Sequence, residues 1–458
     1  MKKMSRRISL HMTRLAPIVV LFLITASSWA QNLVAGYYPM WSRGTLPASA
    51  VRFDQLTHIN HAFAWPLANG SINAYDTAPD TALINRTHRA GRKILISMGG
   101  ASESGGFAPM AADSAARSTF IKNLVAYVTG RGYDGVDMDW EGPANVTEKA
   151  NEVKLIREIH EAFQQANPEL LLTMAVGVSN WSGQWHDFAT LKLYVDWFNA
   201  MTYDFHGSWT THAGHNSPLY APSNDYDGSC DQGIAYLNVT RGIPTSQLLL
   251  GMPFYGKRFT ASTLYGASTA CTDLAYTDVV NLMNQGWTYV WDGTSQVPYL
   301  KAPANNYIVT FDDSASLTLK CNYAKNRQLR GVMMWALGQD KIGSSQPLMD
   351  AVGKAMLGTS DVAEGATHER PGGYALRQNY PNPFNPTTVV SYQLPEVSEI
   401  ELVVYDLLGR VVATLVDGER PAGVSAVTFD ASHLNSGVYL CRLIAGSYSA
   451  TRRMVVLK

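Results

Sequence analysis

The chain has 458 residues, with 36 Lys and Arg set against 37 Asp and Glu. That length exceeds one ordinary core and suggests two or three domains. The near-zero net charge argues against nucleic acid or a strongly acidic polymer as partner, whereas 11 Trp, 23 Tyr and 14 Phe supply flat apolar faces that suit a neutral ligand such as a sugar.

The N-terminal segment reads as an export signal over residues 1–30. Lys2, Lys3, Arg6, Arg7 and Arg14 form a basic leader, an apolar run extends from Ile18 to Ile24, and Ser28 and Ala30 precede Gln31. The run is too short to span a bilayer, so cleavage near Ala30 is expected. "SRRISL" departs from a twin-arginine signal in having Ser9 where an aromatic is preferred.

From Leu33 onward eight short apolar runs alternate with helical stretches: "LVAGYYPMW", "THINHAFAW", "KILISMGG", "GVDMDWE", "LLTMAVGV", "VDWFNAMTYD", "LLLGMPFYG" and "GVMMWALG". Between them, residues 114–129 and 148–165 have helical periodicity, the second stopped by Pro168. The pattern predicts an α/β fold, a (β/α)8 TIM barrel over residues 31–357, with its chemistry at the C-terminal strand ends. The stretch between strands 7 and 8, about residues 257–330, is too long for one crossover and is expected to hold an α+β insertion. Residues 358–373 are small, polar and broken by Gly and Pro, a linker signature. Short alternating strands over 374–458 predict a small all-β sandwich.

Cys230, Cys271, Cys321 and Cys441 are expected in a compartment that permits disulfides. At most one bridge within the barrel is expected, with Cys230–Cys271 and Cys271–Cys321 as alternatives. No cysteine pair has metal-ligand spacing, and neither metal nor cofactor is expected.

"GVDMDWE" carries Asp137, Asp139 and Glu141 at alternate positions. On a strand these project to one face, about 6.5 to 7 Å apart. Inside a barrel they cannot all ionise: Asp137 and Asp139 should share a proton, and Glu141, uppermost, should stay protonated near neutral pH as a general acid. An ordinary retaining glycosidase needs a second carboxylate on the opposite face of the sugar, which one strand face cannot provide. A 2-acetamido group on the substrate can supply the nucleophile instead.

"DGVDMDWE" (134–141) resembles the DxxDxDxE signature of family-eighteen glycoside hydrolases, the chitinases. "SMGG" (97–100), "MTYDFHGSW" (201–209), "GMPFYG" (251–256) and "GVMMWALGQD" (331–340) are similar to that family's motifs on strands 3, 6, 7 and 8. The resemblance implies a secreted chitinase that hydrolyses β-1,4-N-acetylglucosamine linkages with retention, through a substrate-assisted oxazolinium mechanism. It gives catalytic roles to Glu141, Asp139, Asp137 and Tyr203. It places Tyr37, Trp41, Phe63, Gly99, Gly100, Trp140, Met201, Asp204, Tyr255, Lys257 and Trp335 at the substrate. Two departures bear on preference: Ala101 stands where many relatives have an aromatic, and Lys257 where they commonly have Arg, whose bidentate fork Lys cannot reproduce. Alternatives are the same mechanism on N-glycan or peptidoglycan linkages, and a non-catalytic chitin-binding lectin.

The tail resembles the type A sorting domain of the type IX secretion system, on "NYPNPFNPTT" (379–388), "VYDLLGR" (404–410) and the closing "GVYLCRLIAG" and "RRMVVLK". That implies export to the medium or the outer-membrane surface, with the secretion machinery as partner. A monomer acting on chitin or chitooligosaccharides is expected.

Overall fold

The computed structural model describes residues 32–358 and 374–457, apart from 77, 79, 223, 224, 377, 380, 381, 383, 421, 422 and 447. The proposed leader and nearly all of the linker lie outside the described residues. The chain divides into two compact units, residues 1–362 and 363–458.

Eight parallel strands close a barrel in the first unit: β1 (Leu33–Pro39), β2 (His58–Pro66), β3 (Lys93–Gly99), β4 (Gly135–Asp139), β5 (Leu171–Val176), β6 (Trp197–Ala200), β7 (Leu248–Pro253) and β8 (Gly331–Trp335). β1 pairs with β8 through Leu33 and Gly331 and with β2 through Tyr37 and Asn60, so no edge is left. The strands are almost wholly buried on both faces, which is why they read as continuous apolar runs. Helices pack outside. In the helix Ser114–Arg131, Asp113 caps the start by accepting from the amides of Ala115 and Ala116, and Gly132 ends it in the left-handed region. Asn145 caps Val146–Ala166 in the same way.

The insertion is a five-stranded antiparallel sheet in the order Cys271–Ala275, Tyr255–Phe259, Ile308–Thr310, Val297–Lys301, Thr288–Asp292, with the helix Tyr276–Asn284. It therefore begins two residues before the predicted boundary and ends well before residue 330. The helix Ser314–Asn326, started by an Asp313–Ser316 capping box, packs on β7 and β8 and belongs to the barrel.

All four cysteines are free thiols, so neither expected bridge forms. Cys230 and Cys321 are buried in the core, and the Cys230 sulfur lies 3.4 Å from both Ser217 Oγ and the Thr202 carbonyl. They act there as small apolar side chains.

In the second unit, strands Ala375–Leu376, Thr387–Leu394 and Gly423–Asp430 form one sheet. Val411–Arg420, Ser398–Tyr405, Gly437–Ala445 and Tyr448–Val456 form another. Tyr392, Leu402, Leu443 and Met454 bury their side chains in the shared core. Among the described residues, no helix is long and apolar enough to cross a membrane.

Candidate active site

Below the site the lumen is filled by Leu33, Trp197, Leu249 and Met333, which exclude water from the barrel floor. Above them, five strands each contribute one inward side chain to a polar layer. Asp137 lies at its centre and accepts four hydrogen bonds. Tyr37 OH and Ser97 Oγ donate to Oδ2 at 2.7 and 2.9 Å, and Thr173 Oγ1 and Asn199 Nδ2 donate to Oδ1 at 2.6 and 2.9 Å. Burial raises the Asp137 pKa, and these donors pull it back.

Asp139, one step up the same face, is in the opposite situation. It is 4% exposed, and its buried Oδ1 has no hydrogen-bond partner among the described residues. Desolvation holds its carboxyl well above the usual range, and the charges of Glu141 and Asp137 push the same way. Of the two acids Asp139 is therefore the harder to ionise, because the donors of the layer below stabilise charge on Asp137 and none reaches Asp139 Oδ1.

Glu141 stands at the top, open to solvent in the cleft; its backbone N–H donates to Ser104 Oγ at 2.9 Å. The surrounding walls desolvate it and raise its pKa, and the Asp204 charge adds to the effect. Backbone approach makes this geometry possible. A Cβ on Gly99, whose φ is 116°, would lie 2.1 Å from the Asp139 carbonyl oxygen, and one on Gly100 would meet the Phe63 ring at 2.9 Å.

The acids open into a cleft of about 1120 Å³. Tyr37, Phe63 and Trp335 make its aromatic floor: Trp335 stacks on Phe63 at 5.6 Å and meets Tyr37 at 5.5 Å. Trp41, Gly99, Gly100, Met201, Tyr203, Asp204 and Tyr255 also line it. Tyr255 OH donates to Asp204 Oδ1 at 2.6 Å.

Two predicted substrate contacts lie elsewhere. Trp140 falls between Asp139 and Glu141, so the alternation of the strand turns it out of the barrel, where it stacks on Phe107 at 5.3 Å and an interplanar angle of 8°. Lys257 is 3% exposed behind the wall, 2.8 Å from Asp204 and 2.9 Å from Asp273. Two separate carboxylates suit a single ammonium, so a guanidinium fork is not required here. Burial alone would lower its pKa, but Asp204 and Asp273 hold it above the ordinary lysine value.

Sequence reasoning missed Thr173 and Asn199, whose role appears only when neighbouring strands are in register with Asp137. It also missed Trp181, 88% exposed on the cleft rim. With Trp209, 61% exposed, Trp181 offers ring faces on a cleft where Ala101 has none.

The model of the family described as "Glycosyl hydrolases family 18" matches residues 33–340, and that of a "Secretion system C-terminal sorting domain" matches residues 378–457. Chitinase A1 of Niallia circulans is 29% identical over 420 residues, covering 73% of this chain, and the chain spans 60% of that relative's length. The Group IV chitinase of Ostrinia furnacalis, solved in complex with allosamidin, superposes with a TM-score of 0.67 at 26% identity, over 72% of this chain and 99% of that one. Human YKL-39, described as a pseudo-chitinase with retained chitooligosaccharide binding, superposes with a TM-score of 0.65 at 27% identity, over 72% and 100%.

Proposed function

Because the chain belongs to glycosyl hydrolase family 18, we propose that it is an exported chitinase cleaving β-1,4-N-acetylglucosamine linkages with retention. The observation that carries this reading is the unpartnered, buried Oδ1 of Asp139 one step below Glu141, whose pKa desolvation raises. An acceptor held dry without a donor costs free energy unless a ligand supplies the donor, and an acetamido N–H fits.

Glu141 gives its proton to the leaving oxygen while the acetamido carbonyl oxygen of the same sugar bonds to the anomeric carbon and the glycosidic bond breaks. Asp139 accepts the acetamido N–H and, with Asp137 below, places negative charge beside the oxazolinium cation. Tyr203, half-buried on the cleft wall, steadies the acetamido oxygen, so the internal attack starts from an aligned geometry. Water then attacks the anomeric carbon, gives its proton to the Glu141 carboxylate and opens the ring with overall retention. Trp335 carries the sugar face.

A likeness shared by an enzyme and a pseudo-chitinase does not separate hydrolysis from binding; the presence of the Glu141 carboxyl supports hydrolysis. The sorting domain supports delivery through the type IX route to the medium or the cell surface. Digestion of defined chitin oligomers, following product lengths and the initial anomer, tests the reading: β-anomers first are expected, and α-anomers first, or equal cleavage of sugars lacking the acetamido group, would refute it.

A further inference from the structure

Beside the cleft, the chain that follows β6 brings two histidines and two aspartates to one point. His206 is fully buried and Asp225 is 5% exposed, while His212 and Asp227 belong to the cleft rim. His206 Nε2 lies 3.2 Å from His212 Nε2, 3.3 Å from Asp225 Oδ1 and 3.2 Å from Asp227 Oδ2. His212 Nε2 is 3.3 Å from the same Asp227 oxygen, and all four atoms fall within 4.8 Å of one another.

The tautomer of His206 sharpens the problem. Its Nδ1 lies 2.9 Å from the His215 carbonyl oxygen, which can only accept, so Nδ1 carries the proton. In a neutral ring Nε2 is then a bare lone pair facing another imidazole nitrogen and two carboxylate oxygens. Asp225 Oδ2 is buried with no partner among the described residues. Electron-rich atoms this close need positive charge among them. A proton on His206 could serve only one of its three neighbours; a metal ion serves all four ligands at once. Zinc bonds of about 2.0–2.1 Å place tetrahedral ligands about 3.3–3.4 Å apart, close to the four separations above. An N–H donated to a backbone carbonyl is also the outer contact that orients metal-binding histidines.

We propose that His206, His212, Asp225 and Asp227 bind one divalent ion of the zinc class, which ties residues 205–216 to residues 225–227 and fixes the cleft wall bearing Trp209. Two imidazoles select against calcium and magnesium, which take oxygen ligands. Four protein ligands fill a tetrahedral shell, so the ion's role is to hold the wall. The hydrolytic chemistry proposed above does not pass through it, and the two readings are tested separately.

The full chain is treated with dipicolinate, freed of chelator, and titrated with Zn²⁺, Co²⁺ or Ca²⁺, following bound metal per chain by mass spectrometry, thermal melting and the visible spectrum. One Zn²⁺ per chain, a Tm raised by a few degrees and lowered again by chelator, intense visible bands of tetrahedral Co²⁺, and no response to Ca²⁺ are expected. His212→Gln and Asp227→Asn, both on the rim and checked for folding by circular dichroism, should weaken Zn²⁺ binding by more than the roughly 10–100-fold that loss of an outer contact costs. Wild-type protein that holds well under one Zn²⁺ per chain and melts at the same temperature with and without it would overturn the proposal in favour of a protonated His206 ion pair. Variants that bind Zn²⁺ as tightly as wild type would place the ion elsewhere and overturn it equally.

Discussion

Asp137 Oδ1 accepts from Thr173 and Asn199, whereas Oδ1 of Asp139, two residues along the same strand face, accepts from no described group. The lower acid is an anchor and the upper one is held ready. Asp137→Ala should leave several buried donors unsatisfied and cost at least ~2 kcal/mol of stability. Asp139→Asn should spare stability, since it removes a desolvated carboxyl, yet lower kcat by about 10²–10³-fold, as loss of one charge-stabilising group does. Urea denaturation and initial rates on chitotetraose would separate them; equal destabilisation by both changes would contradict the division of labour.

Glu141→Gln should bind oligosaccharide with near wild-type affinity and lose turnover by several orders of magnitude, because an amide cannot donate the proton. Calorimetric titration and product chromatography on one preparation provide the check, and turnover at wild-type rate would remove Glu141 from its role.

Tyr203→Phe should lower kcat about 10–100-fold with a smaller change in KM, since the hydroxyl aligns the internal attack more than it binds the ground state. The reverse split, with KM raised and kcat intact, would make Tyr203 an ordinary binding group.

Lys257 bears on the pH profile through Asp204. Desolvation first, and the Asp204 charge second, raise the Glu141 pKa, and Lys257 offsets that charge from 2.8 Å. Lys257→Met should leave Asp204 less compensated and push Glu141 higher. A general acid works while protonated, so the alkaline limb of kcat against pH should move to higher pH. A limb that stays in place would show that Glu141 does not sense this charge.

His58 and His61 are buried neutral, with pKa values lowered to about 4 chiefly by desolvation. The unfolded chain takes up these protons from about pH 6.5. Each histidine's contribution is therefore intact above that pH and lost as pH falls toward 4. His58→Phe, which retains a ring beside Trp197, removes one such linkage. Relative to the variant, wild-type stability should fall by about 1.4 kcal/mol per pH unit between pH 6 and 5. Denaturant midpoints at the two pH values measure it; a constant difference would mean that His58 is protonated in the fold.

The barrel was legible because each buried strand is a continuous apolar run bounded by helical periodicity, and the acid ladder because a two-residue repeat puts alternate side chains on one face. The same repeat should have excluded Trp140, but the family motif drew it toward the substrate against its own parity. Thr173 and Asn199 have no local signature; they matter only once β5 and β6 lie in register beside Asp137. The strand Val411–Arg420 has no plain signature of its own, because "VVATLVDGER" lacks clean alternation and ends in charge. The His206 cluster was hidden because its ligands come from two loop segments rather than from one spaced motif.

The first strand of the insertion, Tyr255–Phe259, leaves β7 after a single residue, Phe254, whose N–H donates to the Trp335 carbonyl oxygen at 2.8 Å. Cleft wall and catalytic floor are thus spliced into one stretch of chain. Exchanging this insertion between enzymes to reshape the groove would have to cut after Phe259 and rejoin at Ile308, since a cut at Pro253 would carry off Tyr255 and Lys257. Such an exchange would also have to preserve Asp273, which lies within the replaced stretch and holds Lys257 from 2.9 Å, so the insertion keeps one fixed carboxylate whatever else in it diversifies.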